Sequence, residues 1–211
     1  MANINELINE LAQDTAVVKP ARHPAVLSIE WILAAAFYLA TALIFFGYRP
    51  DLTAKLQETW FLAEIVVLVA IFLTTTLSAA LLSFPDMHQM PRFTLIPAIS
   101  FSIFTMVMLF ALQADKPPSP PPDHSFICTM SITLFAILPA IWTFYVMRKL
   151  ASTHHYRAGS IALLAAFSVG ALWLRFYEQN DSILHVIEWH YLPMIVVSFI
   201  GMWMGKIFLK W

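Results

Sequence analysis

Cys128, His185, Glu188 and His190 are the side chains in this chain best suited to hold a metal ion. Thiolate and imidazole suit copper or zinc, and a carboxylate can complete a tetrahedral set. Glu64 and Arg175 form a second group with Glu188 and His190, all four ionisable and all within or at the end of long apolar stretches. Ionisable groups in hydrocarbon are costly and face a bundle interior or water. Pairing Arg175 with Glu64 or Glu188 would lower that cost. Three readings stay open for these residues: a polar network that locks helices together, a metal or redox sensor built from a subset, and a path for protons or a solute. The spacing matches no standard ligand motif, and the residues come from different helices.

The elements that must position these groups are membrane spans. Hydrophobic residues make up 60% of the 211-residue chain and charged ones 12%, against about 25% in a soluble domain. A soluble globule is excluded. A span needs about 20 mostly apolar residues, and six stretches meet that length: 25–47, 60–84, 93–112, 125–147, 158–174 and 183–205. The loops between them are short, so neighbouring helices run antiparallel. The expected fold is therefore all-α, a polytopic six-helix transmembrane domain over 25–211 preceded by a segment over 1–24.

Lys and Arg in the loops set the orientation. With the N-terminus inside, the inner segments hold Lys19, Arg22, Arg92, Arg148, Lys149, Arg157, Lys206 and Lys210, and the outer loops hold Arg49, Lys55, Lys116 and Arg175. That bias predicts cytoplasmic N- and C-termini. It places Cys128, His185, Glu188 and His190 towards the outer face. The segment ahead of the first span is acidic and the span itself is too long for a signal-peptide core, so no cleaved signal is expected.

In the N-terminal segment Ile4, Leu7, Ile8 and Leu11 follow the i, i+3, i+4, i+7 spacing of one helical face. Glu6, Glu10 and Asp14 accompany them, and no Lys or Arg occurs before Lys19. An anionic leaflet attracts basic helices and repels this one. The segment is either a solvated tail or a recognition helix that docks into an apolar groove with a basic rim.

Several classes find no seat. A net charge of −1 argues against direct nucleic-acid binding. The single Cys128 excludes an intramolecular disulfide. Neither a phosphate-binding glycine loop nor a hydrolase or metalloprotease motif is present, so no enzymatic activity is expected. Pro97, Pro139 and Pro193 fall inside spans and predict kinks.

A set of short segments in fixed order carries a family resemblance: Glu6 to Ala12, Val17 to Arg22, Tyr48 to Leu52, Phe126 to Cys128, Leu138 to Ala140, Asp181-Ser182, Trp189-His190 and Gly205 to Trp211. In these the chain resembles the NrsF-like family of six-helix bacterial inner-membrane anti-sigma factors, the negative regulators of sigma factor F type. The resemblance implies that the N-terminal helix, through Ile4, Leu7, Ile8 and Leu11, holds an extracytoplasmic-function sigma factor at the membrane. It also implies release on an envelope signal, heavy metal or oxidant, sensed at two outward cysteines. Cys128 matches one of them, and the other position falls at about Glu178. The input would then be a transition-metal ion held by Cys128 with His or Glu, a thiol reaction between molecules, or something else. The alternative from another class is a small transporter or channel for a metal ion or other solute along Glu64, Glu188 and His190. Lipid is the other expected partner, and the sequence does not set an oligomeric state.

Overall fold

The computed structural model describes residues 4, 8–9, 22–85, 92, 95–114, 126–150 and 152–210. Among them every regular element is helical and none is a strand. Helix α1 spans Pro24–Phe46, the short α2 Leu52–Lys55, α3 Thr59–Leu82, α4 Ile96–Ala114, α5 Phe126–Met147 and α6 His155–Tyr177. The short α7, Ile183–Val186, runs through a π-turn, Ile187–Tyr191, into α8, Leu192–Phe208. Six helical stretches, counting α7, the π-turn and α8 as one, are long and apolar enough to cross a membrane. Six spans leave Pro24 and Phe208, the start of the first and the end of the last, at the same end of the bundle. The loops around Gly47–Glu58 and Glu178–Ser182 lie at the other, remote end.

The limits shift where local chemistry sets them. Helix α1 begins at Pro24, where a missing N–H costs nothing, and the His23 Nδ1 accepts from Ala25 N at 3.2 Å. It ends at Gly47, whose φ of 86° is open to glycine, with the Gly47 N–H donated to Leu43 O. The fifth span is longer than 158–174, running from His155 to Tyr177. Pro97 sits in the first turn of α4, where it breaks no α-helical ladder, whereas Pro193 follows the π-turn inside the last span and leaves the Trp189 carbonyl without an α-helical partner. Pro139 is internal to α5. The carbonyl it leaves without an α-helical partner, Phe135 O, accepts from Tyr38 Oη at 3.2 Å.

Helix α6 is the centre of the bundle. Its most apolar 18-residue window is 78% buried, against 11% for α1. It packs against α8, α5, α3 and α1. The sequence explains this: α6 is among the least apolar of the six spans, rich in Ala, Gly and Ser, and small residues let helices approach in a membrane where lipid already covers the large apolar ones. The closest approach is α6 against α8 near the termini. A Cβ on Gly205 would lie 3.0 Å from Gly159 Cα and nearer still to the His155 carbonyl, and one on Gly201 would lie 2.8 Å from Ser160 Cα. On the outside of the bundle, Phe37, Ile44, Phe45, Phe199 and Trp203 are exposed, as lipid-facing side chains are.

Candidate functional site

Two polar clusters occupy the remote end of the bundle, built on the same short connection between α6 and α7. The first is ionic. Arg175, in the last turn of α6, donates from Nε to Glu64 Oε1 at 2.6 Å and from Nη2 to Glu64 Oε2 at 2.9 Å. Tyr191 Oη donates to the same Glu64 Oε1, and Arg175 Nη1 donates to Asn180 O at 3.2 Å. All three side chains are buried. Such a pair holds in low dielectric only when hydrogen bonds satisfy the remaining donors and acceptors, and here Tyr191 and Asn180 supply them.

Asp181 extends this cluster into the α1–α3 loop. It accepts from Arg49 at 2.7 and 2.8 Å, pairs with Lys55 at 3.0 Å and lies 3.4 Å from Arg175 Nη2. Arg49, 1% exposed, also donates to both oxygens of Asp51, and its backbone N–H donates to Phe176 O at 2.8 Å. The Phe61 ring covers the guanidinium groups of both Arg49 and Arg175, 5.4 and 4.9 Å from its centroid. Burial pushes the Asp181 carboxyl up. The Arg49 hydrogen bonds, the Arg175 charge and Lys55 more than offset it and hold it below the ordinary carboxylate range.

The second cluster is a set of metal-type donors. Cys128 from the start of α5, Glu178 just after α6, His185 from α7 and His190 from the π-turn each present one donor atom, all within 4.8 Å of one another. Cys128 Sγ donates to Glu178 Oε1 at 3.2 Å. His185 Nε2 lies 3.3 Å from Glu178 Oε1, and His190 Nε2 lies 2.9 Å from Glu178 Oε2. Both imidazoles are fully buried. Although its Nε2 is so near a carboxylate oxygen, neither ring nitrogen of His190 makes a hydrogen bond of acceptable angle among the described residues. Four donor atoms of these types gathered round one carboxylate within so short a distance are arranged as ligands are. One sulfur, one carboxylate oxygen and two imidazole nitrogens fit a zinc-type ion. Burial pushes the Glu178 carboxyl up, while His190, Cys128 and His185 draw it back below its ordinary value.

The family model for the negative regulator of sigma F, NrsF, matches residues 11–211, nearly the whole chain. The chain belongs to the NrsF family. No curated protein and no solved structure matches it.

Within this NrsF chain the structure sorts the sequence candidates. Glu64 and Arg175 meet, and Cys128, His185 and His190 converge. Glu188 joins neither group: it is exposed. The reason is helical phase. His190 and Glu188 are two residues apart, so turning His190 inward turns Glu188 out. His190 accordingly belongs to the donor cluster rather than to the Arg175 network. Glu64, Glu188 and His190 line no common cavity, since Glu64 is closed by Arg175 and Tyr191 and Glu188 faces outward. Of the N-terminal stripe, Ile4 and Ile8 are helical and exposed, whereas Leu7 and Leu11 lie outside the described residues.

Sequence reasoning missed Glu178 as a donor, and Arg49, Asp181 and Tyr191 as network members. Their signals were partial. Glu178 stands where the resemblance puts a second cysteine, and Arg49 and Asp181 lie in segments that carry the resemblance. For Tyr191 there was none, because its inward direction depends on the π-turn.

Proposed function

We propose that this NrsF-family chain is an inner-membrane anti-sigma factor that holds an extracytoplasmic-function sigma factor through its N-terminal segment and releases it on an envelope signal. The carrying observation is the four-donor cluster at the end of the bundle remote from the termini, in a chain of a sigma-regulator family. The Lys and Arg distribution supports both termini on the cytoplasmic side. The sigma factor is then bound at one face of the membrane and the signal received at the other. The exposure of Ile4 and Ile8 supports an apolar binding stripe completed by Leu7 and Leu11, and Glu6, Glu10 and Asp14 suit a groove with a basic rim.

The signal is read at Cys128, Glu178, His185 and His190. With one cysteine, the chain forms no internal disulfide, so an oxidant would have to act between molecules. A transition-metal ion is the input the donor set suits. When bound, it would supply charge and fixed coordination. The residues contribute the rest: Cys128 brings α5, Glu178 the α6–α7 connection, and His185 and His190 the start of the last span. Drawing these together shifts the balance between two packings of the bundle, which differ by a few kcal/mol in switches of this kind. The chain's role is regulatory and non-enzymatic.

Co-purification tests the partner. The full-length chain captures its sigma factor when the two are co-expressed, and a Leu7→Asp, Leu11→Asp variant loses it. Undiminished capture by the variant would overturn the assignment of the helix. A transcriptional reporter tests the input: Cys128→Ser and His190→Ala blunt the response to metal salts, and a normal response in both would make the remote cluster structural.

A further inference from the structure

We propose that Cys128, Glu178, His185 and His190 form a preorganised tetrahedral site for a zinc-class divalent cation, and that Thr129, acting through the π-turn, is the residue that positions it. This rests on reading the remote cluster as the signal site and names its ligand and its geometry.

The ion class follows from the donors. Around an ion bonded at about 2.0–2.3 Å, tetrahedral ligands stand roughly 3.3–3.8 Å apart. Cys128 Sγ and His185 Nε2 lie 3.2 and 3.3 Å from Glu178 Oε1, close to that range, His190 Nε2 lies 2.9 Å from the other oxygen, Oε2, and all four donors fall within 4.8 Å of one another, so an ion needs to draw the set in by only about an ångström. A monovalent soft ion such as Cu(I) favours several thiolates or thioethers, and Mg²⁺ or Ca²⁺ favours oxygen alone. One thiolate, one carboxylate and two imidazoles is the mixed set of a borderline dication. Charge gives an independent argument. The thiolate and carboxylate carry two negative charges, a dication cancels them, and a neutral complex is the form least penalised in buried surroundings.

The positioning follows from the π-turn. His185 and His190 are five residues apart, so a regular α-helix would set them about 140° apart around its axis, on different faces. The wider turn over Ile187–Tyr191 brings them to one face, with ring centroids 5.3 Å apart. Pro193 lies four residues after Trp189 and has no N–H to give the Trp189 carbonyl. Thr129 Oγ1 donates to that carbonyl at 2.5 Å. Thr129 is adjacent to Cys128, so a single hydrogen bond fixes the cysteine's helix against the turn that carries His190. Outer contacts of this sort orient ligands and set affinity.

The test uses the full-length protein in detergent micelles, without any sigma factor, with Co²⁺ as a spectroscopic probe and Zn²⁺ as competitor. The wild type gives a thiolate-to-cobalt charge-transfer band at one equivalent, displaced by Zn²⁺ and untouched by Mg²⁺. Cys128→Ser abolishes the band. Thr129→Val weakens Zn²⁺ binding about 10–100-fold, and Thr129→Ser, which keeps the hydroxyl, stays within a few-fold of wild type. Absence of the band in a wild-type protein that still captures its sigma factor overturns the metal site and leaves the anti-sigma reading standing. A band that Zn²⁺ does not displace overturns the ion class. Equal affinity in Thr129→Val and wild type, with unchanged helix content, overturns the positioning role.

Discussion

Arg175 grips both carboxylate oxygens of Glu64, 111 residues earlier in the chain, in a bidentate pair whose side chains are 2% and 7% exposed. The pair joins the end of the central helix α6 to the start of α3. Removing one partner leaves the other charge buried and unpaired. Glu64→Gln or Arg175→Met should cost about 3–5 kcal/mol, measured as a lowered unfolding midpoint in micelles. The double variant Glu64→Met, Arg175→Met should recover much of that loss, since no charge is then left alone. A double variant as damaged as the sum of the singles would show that the pair is not coupled.

Acid should loosen the same end. Asp181 is held below its ordinary range in the folded chain, so folding is favoured by its ionised form. That contribution is complete above the unfolded value, about pH 4, and is lost as pH falls through the lower folded one. Thermal stability in micelles should decline below about pH 4. In Asp181→Asn that part of the decline should be shallower, while stability near neutral pH is lower because Arg49 and Lys55 lose their shared partner.

At the opposite end the decisive contact has no charge. A side chain at Gly205 or Gly159 meets backbone of the facing helix, which cannot rotate away. Gly205→Leu should destabilise by at least about 1–3 kcal/mol, the usual cost of overpacking. Gly47→Ala, at a positive-φ position with open space around it, should cost less. Comparing their unfolding midpoints checks the order.

Two glutamates ten residues apart give a direct contrast. Glu178→Ala should weaken Zn²⁺ binding at least tenfold, whereas Glu188→Ala, at an exposed position, should stay within a few-fold of wild type. Competition with a chromophoric chelator reads both.

The spans were legible because hydrocarbon imposes a length and an apolar content that the sequence displays openly. The Glu64–Arg175 pair was legible in part for the same reason: a charge inside a span must find its opposite, but the sequence offered Arg175 both Glu64 and Glu188. The donor cluster was half legible. Cys128, His185 and His190 could be listed, but whether two histidines five residues apart share a face depends on helix winding. The winding depends in turn on Pro193 and on a hydroxyl from another helix, Thr129. Glu188 lies in the same apolar stretch as His190, whereas Glu178 lies in a loop outside every span. Adjacency along a helix separates side chains in space, and a loop ten residues earlier supplied the carboxylate instead.

The glycine contact between α6 and α8 has a mechanical consequence. It clamps these two helices at the end where the chain begins and finishes, while their other ends carry Arg175, Glu178, His190 and Tyr191. Rearrangement among those residues cannot slide the pair apart, only rock it about the clamp. Helix α1 packs against α3 and α6 with little of its surface buried. It is the least buried of the six spans and its start leads directly back to the N-terminal segment, so α6, which touches α1, is the route by which a tilt at the far end would reach that segment.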